Sequence, residues 1–144
     1  MSNGLADLTG PQTFSFYIPA AMTGATVNDE APAFVVGAAV SGPVGITLVS
    51  AKWTPAAAVT ANGTNFSALS LRNRGAAFAG AALPFSRSYA ATNSAQGVAE
   101  TMTPSVTAAD LLCVNGDVLT LQRIATAAGL VLPAGLVTVT FTLR

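Results

Sequence analysis

The clearest pattern in the chain lies near its end, where Val137, Val139, Phe141 and Leu143 alternate with Thr138, Thr140 and Thr142 without a break. Period-two alternation sends successive side chains to opposite faces of a strand. Residues 136–143 are therefore predicted as a strand with one apolar face and one threonine face. Threonine keeps β propensity while remaining polar. Shorter versions of the pattern recur upstream. Phe14 and Phe16 alternate with Ser15 and Tyr17 over residues 13–18, which stop at Pro19. Residues 34–40 are apolar and interrupted by Gly37, and residues 46–53 form a second apolar run closed by Pro55. Over residues 66–72, Leu69 and Leu71 share one face while Ser70 and Arg72 share the other. Leu83, Phe85, Arg87 and Tyr89 fall at period two in residues 83–90. Residues 98–102 and 118–124 complete the predicted strands, and residues 107–114 fit either a strand or a short helical turn.

Between these runs the punctuation is that of turns. Gly42-Pro43, Asn62-Gly63 and the Gly/Ala-rich residues 74–82 separate strands, and Asn115-Gly116-Asp117 is the strongest tight-turn signal. Asn-Gly suits a type I′ turn, whose central residues both need positive φ. About eight short strands, turn signals every 8–12 residues or so, and the lack of a three-turn amphipathic pattern predict an all-β fold. The architecture expected is an antiparallel β-sandwich of jelly-roll type, which suits this number of strands. An immunoglobulin-like sandwich is the other arrangement, but Trp53 precedes a lone Cys113 and the Cys…Trp…Cys order is absent.

Residues 1–32 read as an N-terminal arm, strand and loop, and residues 33–144 as the sandwich domain. The first ten residues are small and polar, and residues 20–32 are punctuated by Gly24, Asn28, Asp29 and Pro32. On that spacing the strand at residues 12–18 either opens the domain's own sheet or reaches a neighbouring subunit. The second reading makes Phe14, Phe16 and Tyr17 partner-contact residues through main-chain pairing.

Composition adds a constraint on the surface. In 144 residues the apolar fraction is 51% and the charged fraction 8%, with six cations balancing six acids. Ordinary proteins carry about 25% charged residues, and surface charge is what keeps soluble monomers apart. The deficit favours a chain that works in an assembly, and we expect a homo-oligomer, a trimer. Scattered cations with no net excess argue against nucleic acid. The longest apolar stretch, residues 33–40, is far below the roughly 20 residues of a membrane span. No secretory pattern opens the chain, and a single cysteine allows no internal disulfide, so the chain reads as made in the cytoplasm.

The residues offer little for catalysis. Histidine is absent, which removes the commonest general base and metal ligand and every Ser-His or Cys-His arrangement. The acids Asp7, Asp29, Glu30, Glu100, Asp110 and Asp117 are mostly isolated in turns, where Asp serves the backbone. Asp29-Glu30 is the pair that could join carbonyls around calcium, although a solvated loop is the ordinary reading. Cys113, between Leu112 and Val114, reads as a buried inert thiol, and Trp53, ending an apolar strand, as core or rim packing. Arg72-Asn73-Arg74-Gly75 is the densest positive cluster. Its sharp reading is contact with an acidic partner surface, and its plain one a solvated hairpin end. No enzyme activity, cofactor or metal is expected.

Certain strings add a resemblance. Ala51-Lys52-Trp53-Thr54-Pro55-Ala56, then Asn65-Phe66, then Leu71-Arg72-Asn73-Arg74-Gly75 resemble segments of short β-rich structural proteins of tailed phages. Gly116-Asp117-Val118-Leu119, Gly129-Leu130 and Pro133-Ala134-Gly135-Leu136-Val137-Thr138-Val139 continue it. The resemblance covers residues 46–143 and leaves residues 1–32 uncovered. It implies a virion structural protein of the head decoration (capsid cement) or minor structural type, with the major capsid protein as partner and no catalytic residues. The alternative is a tail or fibre module binding host glycans. That would need a cleft of aromatic and amide side chains, whereas the aromatics are 7% of the chain and mostly phenylalanines in strands.

Overall fold

The computed structural model describes residues 10–18, 21–23, 30–37 and 45–144. Its strands in chain order are β1 (Gln12–Ile18), β2 (Glu30–Val35), β3 (Ile46–Pro55), β4 (Phe66–Asn73), β5 (Ala82–Ser88), β6 (Glu100–Thr101), β7 (Thr103–Pro104), β8 (Leu112–Cys113), β9 (Val118–Thr126) and β10 (Gly135–Leu143). A short 3₁₀ turn, Ala108–Leu111, precedes β8. Residues 107–114 thus contain both structures that the sequence allowed, in succession.

Two five-stranded antiparallel sheets result. One runs β1-β10-β3-β6, with β8 also on β3, and the other runs β2-β9-β4-β5-β7. The pairings nest: first strand with last (β1 with β10), β2 with β9, β3 with β6, β4 with β5. A long antiparallel hairpin rolled into two sheets gives this order, and it is a jelly roll. The immunoglobulin alternative does not share it.

Alternation then decides which residues enter the core. In β10, Val137 and Val139 are fully buried and Phe141 nearly so, while Thr138, Thr140 and Thr142 lie on the other face at intermediate exposure. Ala51 and Trp53 of β3 sit beside Val139 and Val137 in register. Opposite them, Leu69, Leu71, Phe85, Leu119 and Leu121 close the core from the second sheet. Gly135 is required by this packing. A Cβ there would lie 2.3 Å from Cη2 of Trp53 and 2.6 Å from the Thr54 carbonyl oxygen.

Several local expectations are corrected. The boundary expected at 32/33 falls inside β2, which pairs with β9 from Glu30 to Val35, so the strand starts earlier than the apolar run suggested. β1 is the domain's own first strand, paired with β10 over its whole length. Leu83 is 36% exposed despite its period-two position, because the β4–β5 register shifts between Leu71 and Asn73 and rotates it out of phase. At residues 114–117, Asp117 N–H donates to the Val114 carbonyl at 3.1 Å. Gly116 has φ +90° while Asn115 is not left-handed, so the turn fits type II, with glycine in its third position, and not I′. The Gly42-Pro43 turn and residues 1–9 of the arm lie outside the described residues.

Val139→Asp is expected to cost about 3–5 kcal/mol by placing an uncompensated charge in the core. Thr140→Asp, one residue on, should cost about 1 kcal/mol or less. Urea melts of the two variants measure the difference, and equal losses would contradict the face assignment. Gly135→Ala should cost about 1–3 kcal/mol by overpacking, with a change in Trp53 emission as the indole is displaced.

Candidate functional site

The outward face of the β1-β10-β3 sheet is built from the residues that alternation excludes from the core. Register sets them in rows across the strands: Thr142–Thr47–Leu112, Thr13–Thr140–Ser50, Ser15–Thr138–Lys52–Thr101 and Tyr17–Leu136–Thr54. Lys52 supplies the charge in these rows. The others are hydroxyl-bearing or apolar. Ser15 Oγ lies 3.0 Å from Thr138 Oγ1, and Thr13 Oγ1 lies 3.4 Å from Thr140 Oγ1. Val49, the extra residue where the β3–β10 register shifts, stands out beside them at 51% exposure. A face of short hydroxyl side chains gives up little rotamer entropy on contact. It also carries little ionic desolvation penalty.

β1 forms one end of this sheet. Its inward Phe14 and Phe16 are only half-covered, although they contact the core, whereas Ile18 at the strand's end is buried. The Phe14 ring stacks on Phe34 of the opposite sheet with centroids 4.1 Å apart, and lies 5.8 Å from Phe141. Phe16 follows at 6.1 Å from Phe14. Tyr17 points the other way and is 58% exposed. Phe14, Phe16 and Tyr17 therefore share one edge but face opposite sides of it.

Arg72 and Arg74 lie in and just after β4, on the other sheet. Arg72 Nη1 donates to Gln122 Oε1 at 2.7 Å. Arg74 forms a two-pronged ion pair with Glu30: Nε donates to Oε1 at 2.6 Å and Nη2 to Oε2. Thr120 Oγ1 also donates to Glu30, and the Arg74 guanidinium sits 5.3 Å above the Phe78 ring centroid. Phe78 holds a left-handed backbone, φ +57°, rare for a bulky residue. The structure does not bring the two arginines together with Phe14, Phe16 and Tyr17. Arg74, read from sequence as free to meet an acidic partner, is neutralised within the chain. Nothing in the spacing pointed to Glu30 as its partner, because the pair forms only when β2 and β4 flank β9. Glu30 is also withdrawn from the suggested calcium pair, since both of its oxygens are engaged. Asp29 lies outside the described residues.

Other polar groups are similarly committed. Arg87 Nε and the Tyr89 hydroxyl both donate to Glu100 Oε2, at 3.1 and 3.2 Å. Burial pushes the Tyr89 hydroxyl up to about 12. Asp117 accepts from Asn73 Nδ2 at 2.8 Å and from the Val114 N–H at 3.0 Å. Cys113 is fully buried. Desolvation, with Asp117 adding to it, pushes its thiol up to about 12. That is far from the depressed value of a nucleophilic cysteine. Arg123, which shares the inward register of Leu69, is buried and donates to Ser67 Oγ at 3.1 Å and the Leu130 carbonyl at 3.3 Å.

No protein-family profile and no curated protein sequence matches this chain. Among solved structures it is weakly similar to a chain in the structure of infectious bursal disease virus, Gx strain. The TM-score is 0.39 and the identity 8%, over 92% of this chain and 32% of that one. This chain thus spans about a third of that chain's length.

The Glu30 carboxyl is held below its ordinary 4.5, chiefly by the Arg74 hydrogen bonds, with burial opposing and Thr120 assisting. A depressed folded value means that the pair's contribution is present above the unfolded value and is lost as pH falls through the folded one. Denaturant melts across the acid range should show this loss in the native chain and a flatter profile in Glu30→Gln. An unchanged acid slope in that variant would remove the pair from the stability of the sheet.

Proposed function

We propose that this chain is a structural virion protein, a capsid decoration (cement) protein that binds the outer surface of the major capsid protein, acts as a homo-oligomer and catalyses nothing. The observation that supports this most is the outward face of the β1-β10-β3 sheet. It is broad, nearly uncharged and lined with hydroxyls, while Arg74, Glu30, Arg87 and Glu100 are spent on internal pairs. Such a face can lie flat against a capsid shell without stripping ions of water. Each contact is weak, and the binding free energy accumulates over the copies of a lattice. The jelly roll is compatible with this role, since viral capsids use it, but lectins and cupins use it too. Fold alone therefore does not select the role.

Microscopy of purified particles carrying a labelled copy of this protein tests the reading directly. Label over the head is expected, whereas label on the tail or absent from particles would overturn it. Thr47→Arg, in the face and away from the β1 edge, should leave the melting transition within about 0.5 kcal/mol of the parent. It should weaken particle binding at least tenfold, measured by co-sedimentation with shells stripped of the protein.

A further inference from the structure

Proteins normally blunt the exposed edges of their sheets with short strands, charges, prolines or bulges, because an unpaired row of N–H and C=O groups recruits another strand. The edges described here follow that rule with one exception. β6, β7 and β8 are two residues long, and β7 includes Pro104. β2 contains Glu30 and Pro32 and has a register shift between Pro32 and Phe34. β1 has none of these devices. It is 7 residues long, uncharged, free of proline and paired with β10 without a shift. Beside it the core is incompletely closed, since Phe14, Phe16 and Phe34 are all only partly buried.

In place of the trimer expected from composition, we infer that the β1 edge is a dimerisation site, and that its occupant is β1 of a second copy of this chain, running antiparallel across a local twofold axis at Ser15. Directly opposed residues of an antiparallel pair point to the same face. An axis at Ser15 opposes Thr13 to Tyr17, Phe14 to Phe16, Gln12 to Ile18, and Ser15 to itself. Hydroxyl and tyrosine side chains then meet on the outer face, and phenyl rings meet on the inner one. Moving the axis to Phe14 or Phe16 leaves strand ends unpaired. A half-residue shift would set each apolar face against a polar one. The strand is therefore self-complementary in pattern and in charge, and no charged group is buried by the pairing. The contact is isologous, so it closes at two copies and does not polymerise. It joins the two β1-β10-β3 sheets into one and brings each Phe14 against the other copy's Phe16 at the open side of the core. β2, with its proline and register shift, leaves the second sheet out of the pairing.

The test uses free protein, so its outcome is independent of whether the chain binds a capsid. Analytical ultracentrifugation over a concentration series should show a species of twice the 14.3 kDa chain mass. Ser15 is exposed, so Ser15→Lys and Ser15→Glu should each match the parent melting temperature when all are dilute enough to be monomeric, and fall below it where the parent is dimeric. Each variant sets like charges face to face on the axis and should weaken dimerisation at least tenfold. Mixing the two variants should restore the dimer, because opposite charges then meet at that position. A monomer at every concentration overturns the inference. So does a trimer, which the twofold contact does not build, or a dimer that both variants leave intact.

Discussion

β10 is the strand on which the rest of the molecule depends. It pairs on one side with β1 and on the other with β3, and its strict alternation divides the sheet between two environments. Val137, Val139 and Phe141 carry the core, and Thr138, Thr140 and Thr142 carry the outer face. A one-residue slip would invert both, placing threonine hydroxyls in the core and valines in solvent. Register in this sheet is fixed by burial on one side alone. The uncharged outer face is a by-product of the same alternation and needs no separate device.

What the sequence revealed follows from where the determinants lie. β10 was legible because every position obeys period two, and β3 and β4 because their apolar faces are nearly continuous. β1 was legible as a strand, and Trp53 and Cys113 as buried groups, but neither the partner of β1 nor its place in the domain could be read. That partner lies at the far end of the chain, and strand pairing over such a distance leaves no local mark. The long gap before residue 33 suggested a tether, yet Glu30 and Ala31 are already paired in β2. Leu83 misled for the opposite reason. Its pattern was correct, and an extra residue in its own strand, where the β4–β5 register shifts, displaced it. The uncharged character of the outer face was visible as composition, although its gathering into rows depended on the register of three strands.

The distribution of charge has its own logic. With so few ionic groups, the fold places several of them where they join elements. Glu30 and Arg74 link β2 to the end of β4, Arg87 and Glu100 link β5 to β6, and Arg123 ties β9 to Ser67 in β4 and to the backbone at Leu130. These positions explain how a chain can be low in charge and still be specific. Its ions bridge neighbouring strands, and the outward face of the β1-β10-β3 sheet is left largely to hydroxyls. Removing one member of such a pair would expose the other to a poorly solvated site, so each is worth more as a locator than as a stabiliser.

The nesting that pairs the first strand with the last has a kinetic side. Thr13 and Thr140 touch across 127 residues of sequence, so β1 leaves the ribosome long before β10 exists. At translation rates of about 5–20 residues per second, that interval is on the order of 6 to 25 s. Through it, an uncharged, β-prone segment with two phenylalanines waits without its partner. The domain has a high contact order, and sandwiches of this kind fold slowly compared with helical proteins. Closure of the sheet is therefore a late event that waits for β10, and until then β1 is an unpaired strand open to the wrong partner.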